Sequence, residues 1–309
     1  MLDYFPIIQS LNNLPLNYKV DVLRLDKIHE SISGNKWFKL KYNLQKAQLN
    51  TNSTIITFGG AFSNHIAATA SACKLFNFKS VGIIRGEQTE LNPTLIEAKK
   101  NGMQLEFVTR QFYSQKTEQA FKHYLQSKYT NYFLIPEGGN NLEGVLGCNE
   151  IIKPVWDYDY IVCACGTATT FAGIIANLKS SSIVVGISVL KGENKLPNQV
   201  KKILHQIHPK KNYNINGNEE LNKEIITENC IISNYSFNGY ANYYQPLIDF
   251  KIDFEKKYNI PLDYVYTNKL FFATCDLISK QKFRGEAKIL VIHSGGLQGN
   301  IGFEKRFKS

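Results

Sequence analysis

Arginine is scarce in this sequence. The 309-residue chain contains 36 Lys and Arg residues, and only five of them are Arg. Its formal net charge of +10 at pH 7 is therefore carried mainly by lysine. A basic chain can attract nucleic acid, an anionic membrane or an anionic substrate. Because arginine is the usual reader of bases and phosphates, whereas lysine is mostly a solvated point charge, we expect no nucleic-acid partner.

Signals for disulfides, metals, export and membrane insertion are also missing. The six cysteines include no C-x-x-C pair, which predicts reduced core residues in a cytoplasmic protein. His205 and His208 have helical spacing but no acidic or Cys partner nearby, so no metal site is expected. The N-terminus has no basic region before an apolar stretch, so no secretory signal is expected. The uncharged run at residues 160–178 contains Gly166 and several Thr, which favours a strand, a turn and a helix over a membrane span.

Short apolar strands alternate with helical stretches along the chain. We predict strands at residues 20–25, 54–58, 80–84, 104–108, 132–135, 160–165, 183–188 and 289–293. Helices are predicted at 37–49, 170–179, 195–207, 243–258 and 269–280, and from about 64, 92 and 114. This alternation is typical of parallel sheets buried on both faces, so we predict an α/β fold with two lobes and a ligand between them. Residues 209–222 are predicted to form a surface loop.

A Gly/Thr turn at residues 166–170 follows the apolar strand at 160–165 and opens the next predicted helix. Free backbone N–H groups, hydroxyls and the helix dipole would converge there on an anion such as a phosphate. A plain strand-to-helix turn with Thr caps explains the same pattern, and both interpretations stay open. No Walker sequence and no G-x-G-x-x-G occurs here, which disfavours a nucleotide triphosphate or a dinucleotide.

Lys36 stands at the start of a predicted helix, directly after Ser33-Gly34-Asn35. A cation at the positive end of a helix is disfavoured, so we expect a lowered pKa for the Lys36 amine. A neutral amine can condense with an aldehyde to form a Schiff base. With so many lysines in the chain, one near a helix start is also expected by chance.

These motifs together resemble a known family. The sequence reads S-G-N-K-x-x-K-L at 33–40 and G-G-x-x-S-N-H at 59–65. In the same order, similar motifs occur at 138–147, 166–173, 239–240, 265–267 and 293–296. The ordered set resembles the 1-aminocyclopropane-1-carboxylate deaminase / D-cysteine desulfhydrase family of pyridoxal-phosphate enzymes. The resemblance implies a two-lobed, three-layer αβα fold like the tryptophan synthase β subunit (fold type II).

The resemblance also implies how the cofactor, pyridoxal 5'-phosphate, would be held. Lys36 would form the Schiff base with it, and Lys39 would be a neighbour of its phosphate. The implied phosphate loop consists of Gly166, Thr167, Ala168, Thr169 and Thr170. Asn64 would hydrogen-bond the ring hydroxyl. Thr267 and Ser294 would lie near the pyridine nitrogen.

Further residues are implied for the substrate, a small amino acid. Ser63 would face the substrate carboxylate or serve as a catalytic hydroxyl, with Asn64 and His65 beside it. Tyr240 and Tyr266 would be the two active-site tyrosines. Both tyrosines can equally be core aromatics.

Several positions depart from the family pattern. The segment F-K-L-K at 38–41 replaces the common R-K-L-E ending, and Thr169 stands where another glycine is frequent. The deaminase branch of the family resembles a pattern in which Glu stands at the position of Thr267 and Gln at the position of His65. The residues found here resemble the desulfhydrase-like branch instead. A neutral hydroxyl at Thr267 would leave a milder electron sink, which β-elimination tolerates better than opening of a cyclopropane ring.

We therefore expect a D-cysteine desulfhydrase-type lyase that forms pyruvate, ammonia and sulfide. The alternative is 1-aminocyclopropane-1-carboxylate deaminase, classed as a hydrolase, which forms 2-oxobutanoate and ammonia. A broad D-amino-acid lyase acting on D-serine or chlorinated alanine is also open. So is a non-catalytic binding protein of the same fold, because of the altered segment after Lys36.

The resemblance implies a division into two lobes. The larger, cofactor-binding lobe would comprise residues 1–51 and 156–309, and the smaller inserted lobe residues 52–155. A homodimer is usual in the family, and we expect one here. No membrane partner is expected.

Overall fold

The computed structural model describes residues 5–14, 18–87, 90–155, 157–178, 181–191, 195–240 and 242–307. For residues 305–307 it describes the backbone but not the side chains. The strands in these ranges are β1 (Ile8–Ser10), β2 (Lys19–Arg24), β3 (Thr54–Gly59), β4 (Lys79–Arg85), β5 (Met103–Val108), β6 (Tyr132–Ile135), β7 (Tyr160–Cys165), β8 (Ile183–Ser188), β9 (Cys230–Ile232) and β10 (Lys288–His293). The helices are α1 (Asn35–Leu49), α2 (Asn64–Leu75), α3 (Pro93–Lys100), α4 (Arg110–Ser114), α5 (Gln119–Lys128), α6 (Leu142–Cys148), α7 (Thr169–Ala176), α8 (Leu196–Ile207), α9 (Gln245–Tyr258), α10 (Thr267–Ser279) and α11 (Asn300–Phe307).

The strands form two sheets. The larger has the order β1-β2-β10-β7-β8-β9, and every pairing in it is parallel except that of β1 with β2. The smaller has the order β5-β4-β3-β6 and is entirely parallel. The predicted α/β class with parallel sheets is confirmed.

The inner strands carry apolar side chains on both faces because helices cover both sides of each sheet. All six residues of β7 are buried, as are five of the six in β10. In β10, Val291 pairs with Val22 on one side and Val162 on the other, so the end of the chain fills the middle of the larger sheet. The six cysteines are free thiols, and five of them are buried.

The four strands of the smaller sheet lie between residues 54 and 135, and those of the larger sheet lie at 8–24 and 160–293. One buried cluster nevertheless joins the two, because it contains Leu40 of α1, Ala68 of α2 and Phe171 of α7. The boundaries of the lobes at residues 52 and 155 stay a prediction.

The described residues contain neither a membrane-spanning helix nor a cluster of metal ligands. None of the helices there is both long and apolar enough to cross a membrane. No group of three or more His, Cys, Asp or Glu side chains within the same residues could hold a metal ion.

The packing of α6 against α1 requires a glycine at position 147. A Cβ on Gly147 would lie 1.9 Å from the Phe38 carbonyl oxygen of α1. We predict that Gly147→Ala lowers the free energy of unfolding by about 2 kcal/mol or more, since backbone cannot yield as a side chain can. Urea denaturation measures this change.

Gly285→Ala is the matched control, because a Cβ there meets nothing within 4 Å. We expect a change within about 0.5 kcal/mol for this surface substitution. Equal stability of the two variants would show that α1 and α6 can separate freely.

Candidate active site

A cavity of about 780 Å³ lies between the two sheets, where β3, β7 and β10 end and α1, α2 and α7 begin. Ligands of parallel α/β proteins bind at the carboxyl ends of the strands. Thirteen of the fourteen residues predicted for the site line this cavity. They are Lys36, Lys39, Ser63, Asn64, His65, Gly166, Thr167, Ala168, Thr169, Thr170, Tyr240, Tyr266 and Ser294.

The start of α1 is fixed against the end of β10. Gly34, the N-cap of α1, has φ +70°, and a Cβ on it would lie 1.9 Å from the Ser294 carbonyl oxygen. Glycine is therefore required at this position. The Asn35 backbone N–H donates to the same carbonyl oxygen at 3.2 Å. These contacts hold the next residue, Lys36, at the cavity wall.

The Lys36 amine is well suited to attack an aldehyde. Burial, assisted by the neighbouring Lys39 charge, lowers the pKa of Lys36 to about 7. The direction agrees with the sequence prediction, but burial is the main cause rather than the helix dipole. Lys36 Nζ donates to Asn35 Oδ1 at 2.9 Å, and Asn35 Nδ2 donates to Thr170 Oγ1 at 2.9 Å. Asn35 thus links the amine to the loop that opens α7.

The loop between β7 and α7 presents unpaired backbone amides. Ala168, with φ +53°, turns the chain so that α7 begins at Thr169. The N–H groups of Thr167 and Ala168 make no hydrogen bond with the rest of the described chain. The Thr167 and Thr169 hydroxyls lie 2.8 Å apart, and the Thr169 hydroxyl donates to Asn140 Oδ1 at 3.0 Å. The positive φ falls on Ala168, so the chain needs no glycine at position 169.

Lys39 is a buried cation without an anion. Its side chain is 5% exposed, and burial lowers the pKa of its amine. Within the described ranges it has neither a salt bridge nor a side-chain hydrogen bond. Such a charge is costly to bury unless a partner is supplied. Lys39 and the β7–α7 loop line the same cavity, and a cation with backbone amides is a donor set that suits a phosphate group.

The opposite wall is the turn that opens α2. Ser63 Oγ accepts from the His65 and Ile66 amides at 3.2 and 3.3 Å and so caps the helix. Asn64 lines the cavity, and its buried Oδ1 has no hydrogen-bond partner among the residues that the structure describes. His65 Nε2 lies 3.0 Å from Thr57 Oγ1. Burial and the charges of nearby lysines hold the pKa of His65 well below its usual value, so the ring is neutral.

Both predicted tyrosines reach the cavity. The Tyr240 hydroxyl donates to the Phe62 carbonyl at 3.3 Å. Although 45% of the Tyr240 side chain is exposed, its hydroxyl end is withdrawn from solvent, and burial followed by the Asp263 charge raises its pKa to about 12. Tyr266 precedes α10 and lies over the phosphate loop, because its Cε1 is 3.1 Å from where a Cβ on Gly166 would lie.

Thr267 is the one predicted site residue that is not among those lining the cavity. It is fully buried. Its hydroxyl donates to Asp263 Oδ1 at 2.8 Å and accepts from the Asp263 amide at 2.7 Å, so its bonding capacity is used at the start of α10. Of the two side chains expected near the pyridine nitrogen, Ser294 alone reaches the cavity wall.

Three polar residues that sequence reasoning missed support the site. Asn35 lies inside the S-G-N-K motif at 33–40 and Asn140 inside the motif at 138–147. No role in the site was predicted for either side chain. Asp263 left no local signal. Its carboxylate accepts three amide hydrogen bonds, from residues 265–267, in addition to the Thr267 hydroxyl.

Lys269 is a fourth missed residue. It is 1% exposed, and its ammonium donates to the Val189, Ser236 and Gly239 carbonyls at 2.8, 2.7 and 2.6 Å. Three donors meet three acceptors, so Lys269 ties the segment that carries Tyr240 to the end of β8.

A buried, largely neutral lysine amine beside a phosphate-binding loop, at the ends of two parallel sheets, defines an enzyme that binds a phosphorylated aldehyde. The chain belongs to the pyridoxal-phosphate dependent enzyme family, whose model matches residues 7–295. The predicted family resemblance, the pyridoxal-phosphate cofactor and the tryptophan synthase β-like fold are thereby confirmed.

Named relatives cover nearly the whole chain. A Thermotoga maritima protein named putative 1-aminocyclopropane-1-carboxylate deaminase is 28% identical and spans 97% of this chain and 96% of its own length. The mitochondrial bifunctional D-cysteine desulfhydrase/1-aminocyclopropane-1-carboxylate deaminase of Arabidopsis thaliana is 28% identical over 94% of this chain and 75% of its own. A crystal structure described as an ACC deaminase homologue has a TM-score of 0.81 and 26% identity, covering 98% of this chain and 93% of that chain.

The residues present fit pyridoxal phosphate. The unpaired amides of Thr167 and Ala168 and the unpaired Lys39 charge match its phosphate. The Lys36 amine matches its aldehyde, and the orphaned Asn64 Oδ1 is free to accept a hydrogen bond from its ring hydroxyl.

The lowered pKa of Lys36 predicts how cofactor-free protein takes up pyridoxal phosphate. We expect the rate of appearance of the visible absorbance band to rise with pH through about 7 and to level off above it, because the neutral amine is the nucleophile. Stopped-flow absorbance measures the rate, and borohydride reduction with peptide mass spectrometry locates the modified lysine. Lys41→Arg, on the same helix, is the control and should leave the profile unchanged. A rate that keeps rising towards pH 10 would contradict the prediction.

The carbonyls held by Lys269 predict a large effect of removing its charge. In Lys269→Met three buried carbonyls lose their donor, and we expect a loss of about 3 kcal/mol in the free energy of unfolding. Hydrogen exchange should also speed up in residues 236–240. Lys280→Met, at the exposed end of α10, removes only a surface pair with Asp276 and should cost less than about 1 kcal/mol. Similar losses in the two variants would show that Lys269 does not hold this segment.

Proposed function

We propose that the protein catalyses D-cysteine desulfhydrase-type α,β-elimination on a small amino acid. With D-cysteine, the Cα–H and Cβ–S bonds break and one water is consumed. The products are pyruvate, ammonia and hydrogen sulfide. The proposal deepens what the family membership shows, which is an enzyme that depends on pyridoxal phosphate.

The lack of a free carboxylate near Ser294 is the observation that carries this choice of reaction. Among the described residues that line the cavity, Glu137 is the one acid, and it forms a salt bridge with Lys116 at 3.4 Å on the side of the smaller sheet. Asp263 is buried behind the wall, and its oxygens accept four hydrogen bonds. A neutral wall near the pyridine nitrogen leaves a milder electron sink, which suits expulsion of a good leaving group.

Bound pyridoxal phosphate would supply an electron-withdrawing ring that acidifies the Cα–H bond of the amino acid. Lys36 Nζ would accept that proton, since its pKa of about 7 leaves much of the amine neutral at physiological pH. Tyr240, whose raised pKa keeps its hydroxyl protonated, would be the donor to the departing sulfur.

The turn that opens α2 would hold the substrate carboxylate. Ser63 and Asn64 line the cavity at the positive end of this 12-residue helix. His65 would act through position rather than charge, because its ring is neutral and its Nε2 contacts Thr57.

1-Aminocyclopropane-1-carboxylate deamination is the second candidate reaction. It is favoured by the names of the relatives from Thermotoga maritima and Arabidopsis thaliana. It would yield 2-oxobutanoate and ammonia.

A substrate panel separates the candidates. Purified protein loaded with pyridoxal phosphate is assayed for ammonia, keto acid and sulfide with D-cysteine, L-cysteine, D-serine and 1-aminocyclopropane-1-carboxylate. We expect D-cysteine to give the highest kcat/KM. Lys36→Ala should lose the visible absorbance band and at least about 1,000-fold in rate, because it removes both the attachment point and the base.

Lys41→Ala is the matched control, since Lys41 pairs with Glu150 outside the cavity. Turnover of the cyclopropane substrate alone would replace elimination by deamination. A visible band without turnover of any amino acid would favour a binding protein of this fold.

We also propose a cytoplasmic homodimer with two lobes divided at residues 52 and 155, acting on small molecules rather than on nucleic acid or membranes. The six free cysteines agree with a reducing compartment. Sedimentation equilibrium tests the dimer.

A further inference from the structure

Two guanidinium groups line the cavity at the carboxyl end of the smaller sheet. Arg85 is the last residue of β4, and Arg110 follows β5 by two residues. The strands are neighbours, with Arg85 paired to Val108 in register. Arg110 Nε lies 3.8 Å from where a Cβ on Gly86 would be, so the Arg110 side chain lies beside the residue that follows Arg85, and both arginines line the cavity.

Neither guanidinium has an anionic partner. Across the described ranges, Arg85 and Arg110 form no salt bridge and no hydrogen bond. Arg24 and Arg284, by contrast, are paired with Asp26 at 2.7 Å and Asp159 at 2.6 Å. Of the four arginines whose side chains are described, the two that line the cavity are therefore the ones without a carboxylate partner.

The corner next to this pair is part of the substrate region. Arg85 Nη2 is 3.7 Å from the position of a Cβ on Gly60, which begins the loop leading to Ser63. The Arg85 guanidinium also lies 5.8 Å from the Tyr113 ring centre, a contact that orients it. Its charge reaches Tyr240, where it partly offsets the rise in pKa.

The anions already assigned do not use these groups. The phosphate is accounted for by the β7–α7 loop and Lys39 on the larger sheet, and the substrate carboxylate by the turn at Ser63. Among the described residues, six Lys and Arg side chains line the cavity together with one acid, Glu137, which is paired. An unneutralised pair of planar forks matches a further carboxylate, sulfonate or phosphate.

We propose that Arg85 and Arg110 bind an anionic group in the side chain of the substrate, so that the preferred substrates are amino acids carrying a second negative charge beyond Cβ. This inference rests on the proposed elimination reaction. D-Cysteine lacks such a group and reacts without this contact.

Matched pairs of ligands test the proposal. S-Carboxymethylcysteine is compared with its isosteric carboxamide, each as the D and L enantiomer, in the enzyme loaded with pyridoxal phosphate. Elimination from the acid consumes one water and gives pyruvate, ammonia and mercaptoacetate. We expect the acid to exceed the amide at least about tenfold in kcat/KM. Dissociation constants of glutamate against glutamine, measured by calorimetry, should differ in the same direction.

The variants assign this preference to the two residues. In Arg85→Gln/Arg110→Gln both preferences should fall to about one. Each preference is a ratio of two ligands measured on the same variant, so a change in overall turnover through Tyr240 does not affect it. Arg284→Gln is the control, because Arg284 lies outside the cavity. Arg85→Lys/Arg110→Lys should retain part of the preference.

Two failures are distinguishable. Loss of turnover for every amino acid tested would overturn the proposed function, and calorimetry would still report whether carboxylates bind in preference to amides. A second outcome is that D-cysteine turns over but kcat/KM is equal for the acid and the amide, in the wild type and in the double variant alike. This outcome would overturn the assignment of Arg85 and Arg110 and leave the proposed function standing.

Discussion

The site depends on the close approach of the start of α1 to the end of β10. Gly34 lies so near the Ser294 carbonyl that a methyl group would occupy the same space, and the Asn35 amide donates to that carbonyl. Because β10 is held between β2 and β7, its end cannot shift without breaking the larger sheet. The position of the Lys36 amine is therefore set by a strand with five of its six residues buried in the middle of the larger sheet. A lysine on a loop without such contacts would move in and out of solvent, and its amine would not stay desolvated.

Desolvation in turn gives three lysines three different tasks. Lys36 shares its proton with one amide oxygen, so burial lowers its pKa to about 7 and leaves a nucleophile. Lys39 has no partner in the described chain and is an electrostatic demand for an anion. Lys269 meets three carbonyls, and its charge serves only to hold backbone. All three amines are desolvated, so the number of hydrogen-bond acceptors around each one distinguishes their roles. Lys36 is the base, Lys39 is an anion-binding group and Lys269 holds the backbone in place.

Much of this was visible in the sequence because it is local. The apolar strands, the glycine turn at 166–170 and the S-G-N-K motif depend on neighbouring residues, and the parallel sheets and the lysine site followed from them. β9 has three residues, too few for a periodic pattern, and β1 is an edge strand of the same length, so neither was predicted. The sequence did not show that Thr267 is absent from the cavity lining, because its hydroxyl is taken by Asp263, a contact that no motif spacing encodes.

The scarcity of arginine has a different meaning after the structure than before it. As a global count it argued against nucleic acid, since the net charge is carried by lysines. As a local count it points to the cavity. Among the four arginines whose side chains are described, Arg24 and Arg284 have carboxylate partners and lie elsewhere, whereas Arg85 and Arg110 have none and line the cavity. A basic chain can thus lack specific anion binding over most of its surface and still bind an anion specifically at one corner of its cavity. Selectivity for a negative side chain then follows from where two open forks are placed, not from the sum of charges.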